Sequence, residues 1–257
     1  MNHFGIDFKA PNRPFLDPDF MPLLQFNRAF LKTSRRPVVL AIERSGKQIS
    51  VANTFIHGTP EMAEADRYYI DRLVKTLLWQ KGGFRVYVCG DHSMYHYLAD
   101  AYSAKGSRAF DADLMSRVYE HPFEVVDLNL EDAPVEYSFS KAIGRHLDGC
   151  RIGFDAGGSD RKVSAIIDGE PVFSEEVVWL PKEMSDPDYH YNGIVAALKT
   201  AAAHMPRVDG IGVSSAGIYI DNLTRVASLF LKVPPDLFFK KLKKNYIPAA
   251  HHFGDVP

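Results

Sequence analysis

The stretch RIGFDAGGSDRKVSAIIDGE, which begins at Arg151, constrains this chain more than any other. Two apolar runs, 152–155 and 163–168, flank a short turn that holds an acid and two adjacent glycines. Gly157 and Gly158 let the backbone approach an anion and aim N–H groups at it. Ser159 adds a hydroxyl donor. Asp155, ending a buried strand, suits a water-mediated hold on Mg²⁺, which keeps several waters and takes few carboxylates. Lys162 or Arg161 is placed to lie along the anion. This is not a Walker loop, because Gly-Lys-Ser/Thr is missing and a strand follows instead of a helix. A hairpin that uses its glycines only for turn geometry fits the same residues.

The chain has 257 residues, 46% of them hydrophobic, enough for a sizeable core and one or two domains. A net charge of -2 gives neither a basic field for nucleic acid nor an acidic excess that favours disorder. Cys89 and Cys150 sit in or beside apolar runs, so two buried free thiols in a reduced, cytoplasmic setting are expected. There is no Cys-x-x-Cys pair for a thiolate zinc site. The start, MNHFGIDFKAPNRPF, lacks the cationic and apolar regions of a signal peptide. No run approaches about 18 apolar residues, so no membrane partner is expected.

Three segments follow. Residues 1–36, rich in proline and phenylalanine, read as an extended arm anchored by Phe4, Phe8, Phe15 and Phe20. Residues 37–149 read as an N-terminal α/β domain. Its strands are expected at 38–43 and 48–56 around a Ser45-Gly46 turn. A helix over 59–81 follows, with Thr59 as its cap and one stripe of Met62, Tyr69, Ile70, Leu73, Val74, Leu77 and Leu78. FRVYVCGD and FEVVDLNL read as strands, with a helix at SMYHYLADAYSA between them. From 150 to 257 the order is three strands turning at Asp168-Gly169, a helix burying Tyr191, Ile194, Val195 and Leu198, a strand, and an amphipathic helix from Pro234-Pro235. Aligning VLAIERSGKQISVA on RIGFDAGGSDRKVS places Glu43 opposite Asp155 and Gly46 opposite Gly158. That suggests a weak repeat, and chance similarity of two α/β units produces the same pattern.

A second stretch, VDGIGVSSAGIYIDN, delivers Ser214, Ser215, Ala216 and Gly217 to a sheet end, where open α/β folds place ligands. Taken together, the two stretches resemble the ROK family of sugar kinases and sugar-sensing repressors, in the superfamily of actin, the heat-shock ATPases and hexokinase. Asp155 to Ser159 fill the family's D-x-G-G-T turn, with serine for threonine. Asp160 and Arg161 precede Lys162, two residues more than the family pattern. Gly210 to Gly217 match the family's G-I-G-x-x-x-x-G loop without its usual proline.

The resemblance covers about residues 150–257 and implies an α/β, ribonuclease-H-like lobe that uses ATP and Mg²⁺. The implied reaction is transfer of the γ-phosphoryl group to a sugar hydroxyl. Asp155 would orient Mg²⁺; Gly157, Gly158, Ser159 and Lys162 would hold phosphate; Ser214, Ser215, Ala216, Gly217 and Asn222 would border the sugar. The family's later Asn-Asp pair, whose aspartate is the general base, has no counterpart here. The lobe therefore reads as truncated, and the chain alone is expected not to turn over. The alternative is a non-catalytic sugar or nucleotide sensor. A third reading makes residues 37–130 a worn second lobe. DNA binding is disfavoured because 38–56 read as strands where the repressor branch carries its recognition element. The partners implied are a small sugar and a nucleotide, with a homo-oligomer left open.

Other candidates are weaker. His251-His252 lack a third ligand, and His92 and His96, at i and i+4, read as a cap and a packed ring. The lysines of FFKKLKKNY read as a solvated helix face. No G-x-S-x-G elbow is present, which argues against a hydrolase.

Overall fold

The computed structural model describes residues 1–12, 14–140, 146–221, 223–226 and 228–242. The chain divides into two compact units, Met1–Lys141 and Ala142–Pro257.

In the first unit, β1 (Asn2–His3) and β2 (Ile6–Asp7) pair before a helix, α1 (Leu23–Thr33). The arm is thus not extended throughout. Residues 23–33 are free of proline, and Phe26 and Phe30, at i and i+4, share one face and are fully buried. They are the anchors, together with Phe8, whereas Phe15 is 96% exposed and Phe4 and Phe20 are also exposed.

The sheet follows in β3 (Arg36–Arg44), β4 (Gln48–Ile56), α2 (Ala63–Lys81), β5 (Arg85–Cys89), α3 (His92–Ala101), α4 (Ala109–Tyr119) and β6 (Glu124–Leu128). Its order is β4-β3-β5-β6. Tyr69, Ile70, Val74 and Leu78 of the expected stripe are buried; Met62, Leu73 and Leu77 are half-buried against the same core. Thr59 makes no side-chain cap for the 3₁₀ turn over Pro60–Met62 that precedes α2. The segment entering α2 is held instead by Asp66, buried in the helix, which accepts the N–H groups of His57 at 2.9 Å and Gly58 at 2.8 Å. Cys89 and Cys150 are both buried free thiols, and burial pushes Cys89 up to about 11, with Asp127 and Asp132 adding.

The second unit holds β7 (Cys150–Ala156), β8 (Asp160–Ile167), β9 (Glu170–Val178), α5 (Pro187–Ala202) and β10 (Gly210–Ser215). A small hairpin, β11 (Ile218–Ile220) with β12 (Leu223–Val226), and α6 (Pro235–Leu237) follow. The sheet order is β10-β7-β8-β9: three antiparallel strands, then a fourth running parallel to the first after a helical crossover. This mixed α/β arrangement is the one expected of a ribonuclease-H-like lobe. Type I′-like geometry at Asp168 (φ 50°) and Gly169 (φ 88°) makes the expected turn. Ile194 and Leu198 of α5 are buried as expected, but Tyr191 is exposed and His190 replaces it in the core. Of the helix expected from Pro234-Pro235, the described part is helical from Pro235 to Leu242, as α6 running directly into a wider π-helical turn over Phe238–Leu242; the rest lies outside the described residues.

The two units are not copies in their strand directions. After its hairpin and helix, the first unit returns with β5 antiparallel to β3, whereas the second returns with β10 parallel to β7. The cause is strand count. Two strands before the helix leave the chain at one end of the sheet, and three leave it at the other.

The start of the β7–β10 pairing is clamped by Asp209. Its Oδ2 accepts the N–H of Cys150 at 2.8 Å, and its own N–H donates to Cys150 O at 2.8 Å. The Arg207 guanidinium first, and then the Cys150 N–H, hold its carboxyl below the usual aspartate range. A carboxyl lowered in the folded state stabilises fully above its unfolded range and loses that contribution as pH falls through the lowered value. Acid titration followed by amide exchange at Cys150 is therefore expected to show protection lost at a pH below 3.8, and Asp209→Asn is expected to abolish that step. In the first unit, Asp66→Ala strands two N–H donors and is expected to cost about 3 kcal/mol in urea unfolding followed by circular dichroism.

Candidate functional site

Strand alternation sorts the second unit's sheet into two faces. Ile152, Phe154 and Ala156 of β7, with Val163 and Ala165 of β8, are buried in the core beside α5. Gly153 and Asp155 face the other way. The register places Ser214 of β10 on one side of Asp155 and Lys162 of β8 on the other. Two motifs about 60 residues apart in sequence thus meet at one strand end. Small residues keep this face open: a groove of about 490 Å³ is lined by Gly153, Asp155, Lys162, Ser164, Ser174 and Ser214, among others.

The glycine turn is held from behind by Trp179, which is 2% exposed. Its Nε1 donates to Gly157 O at 2.8 Å, and its backbone N–H donates to Ser159 O at 3.1 Å. Two turn carbonyls are therefore occupied. Among the described residues, the N–H groups of Gly157, Gly158 and Ser159 have no acceptor. Neither glycine has a left-handed φ, so close approach explains them. A Cβ on Gly157 would lie 2.5 Å from Asp160 O, and one on Gly158 would lie 2.6 Å from Lys182 Nζ.

Lys182 sits on a 3₁₀ turn, Pro181–Glu183, between β9 and α5. That turn is tied down by the fully buried His190. Its Nε2 donates to Pro181 O at 2.9 Å and Leu229 O at 3.2 Å, since a carbonyl can only accept.

The remaining residues expected at the site fall in different places. Asp155 makes no hydrogen bond or ion pair with any described residue. Lys162 belongs to β8 and is engaged: its Nζ lies 3.1 Å from Asp160 Oδ1 and 3.8 Å from Glu176 Oε1. The hydrogen bond and charge of Asp160, and then the charge of Glu176, push its pKa up. Arg161 has the strand parity of Val163 and packs at Gly193 of α5, next to Trp179, away from Lys162's face. Ser215 accepts from Tyr219 OH at 2.9 Å, so its hydroxyl is tied to β11. Ala216 and Gly217 (φ 147°) lie just beyond β10. Asn222, His251 and His252 lie outside the described residues, as do the last lysines of FFKKLKKNY. Lys241, within the described part, pairs with Asp188 at 2.9 Å.

In the first unit, Asp91 caps α3 by accepting Met94 N–H at 3.0 Å. His92 pairs with Asp127, and its Nε2 meets His96 Nε2 at 2.8 Å. Among the described residues there is no group of three side chains suited to a metal ion, and no helix is long and apolar enough to cross a membrane.

Sequence reasoning missed Trp179, Lys182 and His190. No spacing in the sequence links Trp179, Lys182 or His190 to the glycine turn.

No family model matches the sequence, and no curated protein matches it. Among solved structures, the chain is similar to a Listeria monocytogenes protein provisionally described as an N-acetylmannosamine kinase, with 23% identity and a TM-score of 0.28. That match covers 41% of this chain and 32% of the other. An exopolyphosphatase from Cytophaga hutchinsonii matches with 11% identity and a TM-score of 0.21, over 70% of this chain and 64% of the other. The chain thus spans under two thirds of either protein. Overlaps this loose decide neither fold nor activity, which rest on the geometry above.

The two glycines are expected to respond differently to alanine. Gly157→Ala meets backbone and should destabilise the second unit by about 1–3 kcal/mol. Gly158→Ala meets only the end of a flexible lysine and should leave stability within about 0.5 kcal/mol. Thermal unfolding of both variants by circular dichroism reads the difference.

Proposed function

We propose that residues 150–242 form a Mg²⁺-nucleotide-binding lobe similar to that of sugar kinases, which binds ATP and a sugar. One observation carries this reading: Asp155, a carboxylate with no hydrogen bond or ion pair to a described residue, lies in register with Ser214, two residues before Gly157, the first of the unaccepted N–H groups. These residues fit the groups they would hold. Asp155 would take Mg²⁺ through water, and the N–H groups of Gly157, Gly158 and Ser159 would receive phosphate oxygens. Bound Mg²⁺-ATP supplies an electrophilic phosphoryl group to a sugar hydroxyl. Ser214, with the small residues beside it, would border the sugar. The role expected of Asn222 remains part of this proposal.

The groove also favours binding over turnover by this chain alone. Asp155 is the one carboxylate among the described residues that line it. A carboxylate occupied with Mg²⁺ cannot also take the sugar's proton, so no described groove residue serves as general base. The chain is thereby read as a binding lobe, with a sugar or nucleotide sensor as the form this takes when nothing supplies the base.

Calorimetric titration tests the reading. The wild-type chain is expected to bind ATP with Mg²⁺ and to lose binding with EDTA. Asp155→Asn is expected to weaken Mg²⁺-ATP about tenfold, which is about 1.4 kcal/mol. Equal affinity for the variant would remove Asp155 from the site. Steady sugar-dependent ADP release by the wild-type chain would overturn the claim that it binds without turning over.

A further inference from the structure

Two lysines stand near the turn, and they are not equivalent. Lys162, which the sequence motif assigns to the anion, has its ammonium on Asp160 at 3.1 Å and near Glu176 at 3.8 Å. An ammonium already neutralised by carboxylates has little left for an incoming anion. Its strand position also fixes it beside Asp155, under a turn that projects past it.

Lys182 differs on each count. It arrives from the segment after β9, and among the described residues no carboxylate lies within ion-pair distance of it. Its Nζ lies 2.6 Å, and its Cε 2.7 Å, from where a Cβ on Gly158 would be, so the ammonium rests directly on the glycine turn. Its stem is positioned by buried groups. Trp179, three residues before it in the chain, bonds the glycine turn at Gly157 O, and His190 bonds the carbonyl of Pro181, its immediate neighbour. Gly158 is then explained twice, by an anion that needs a close backbone and by a lysine that needs the space of the missing Cβ.

We infer that Lys182, and not Lys162, is the cation that binds the phosphate chain at this turn, and that the ligand is a chain of linked phosphates carried with a divalent cation. The charge arrangement selects that class. With the Lys162 ammonium drawn to Asp160, two groups without a hydrogen bond or ion pair to a described residue remain for a ligand: the carboxylate of Asp155 in the groove and the ammonium of Lys182 over Gly158. A magnesium polyphosphate presents both complements at once, its metal toward Asp155 and its free anionic oxygens toward Lys182 and the turn N–H groups. A single phosphate monoester presents fewer oxygens to these groups. The inference rests on the phosphate-binding reading above, and it adds a residue and a substrate class to that site. A nucleoside triphosphate and inorganic tripolyphosphate share the required chemistry.

The test is calorimetric titration of the full chain, and of Lys182→Gln, Lys182→Arg and Lys162→Gln, with ATP, AMP and tripolyphosphate, each with and without Mg²⁺. The wild type is expected to bind ATP and tripolyphosphate only with Mg²⁺, and AMP at least tenfold more weakly. Lys182→Gln should weaken both polyphosphates tenfold or more, Lys182→Arg should restore most of the loss, and Lys162→Gln should change affinity less than threefold. Gly158→Ala, which pushes the lysine aside, should mimic Lys182→Gln. Lys182 is exposed, so its variants are expected to keep the wild-type circular dichroism spectrum. Wild-type binding that survives Lys182→Gln, or that is lost in Lys162→Gln instead, overturns the assignment while leaving the phosphate site standing. Binding of ATP without tripolyphosphate overturns the substrate class, since the base would then carry the affinity. No binding of any phosphate by the wild type overturns both the inference and the reading beneath it.

Discussion

The pairing of β10 alongside β7, from Gly210 beside Arg151 to Ser215 beside Ala156, is the interaction on which the candidate site depends. Without it, the glycine turn and the serine-rich strand end are two loops separated by a helix. With it, Asp155 and Ser214 share a sheet position and a face. A parallel pair cannot be joined by a tight turn, so α5 must cross over and bury Ile194, Ala197 and Leu198 on the sheet. The chemistry on one face is thus held by packing on the other, and Asp209 fixes where the register begins.

A second layer of control lies behind the turn. Trp179 spends its indole N–H and its backbone N–H on the carbonyls of Gly157 and Ser159. The Gly157 carbonyl shares its peptide plane with the Gly158 N–H, so the buried aromatic that holds this carbonyl inward turns the Gly158 N–H outward. His190 acts one step further back, on the segment that carries Lys182. Neither ring lines the groove; Trp179 orients the glycine turn and His190 the segment that carries Lys182.

Much of this was legible in the sequence because the signals were local. The apolar runs of β3, β5, β7 and β8, the Asp168-Gly169 turn and the stripe of α2 all follow from neighbours in the chain. What was not legible depended on distant partners. α4 is such a case: Asp111 in its first turn accepts Trp79 Nε1 at 2.7 Å, and Arg108, just before it, pairs with Asp71, both partners lying on α2. The arm's phenylalanines looked equivalent in sequence, but Phe8, Phe26 and Phe30 reach the core while Phe4, Phe15 and Phe20 stay exposed. At the site, a lysine two residues past the motif seemed the natural cation. Strand register put it beside Asp160, and a lysine some twenty residues later took the place above Gly158. The apparent repeat was different: the two strands before the helix in one unit and the three in the other were legible, and that count sets the opposite direction of the returning strands.

The crossover has a consequence in time as well as in space. The three strands β7, β8 and β9 are consecutive hairpins whose contacts close short loops, so they are cheap to form early. β10 must wait for the intervening helix to dock, because its contacts with β7 close a far longer loop. A ribosome-bound or partly refolded chain would thus possess the glycine turn before it possesses Ser214 beside Asp155. Under the proposed function, binding competence arrives with β10, the last strand to join this sheet, and a ligand that bridges the two strand ends would stabilise the contact that forms last.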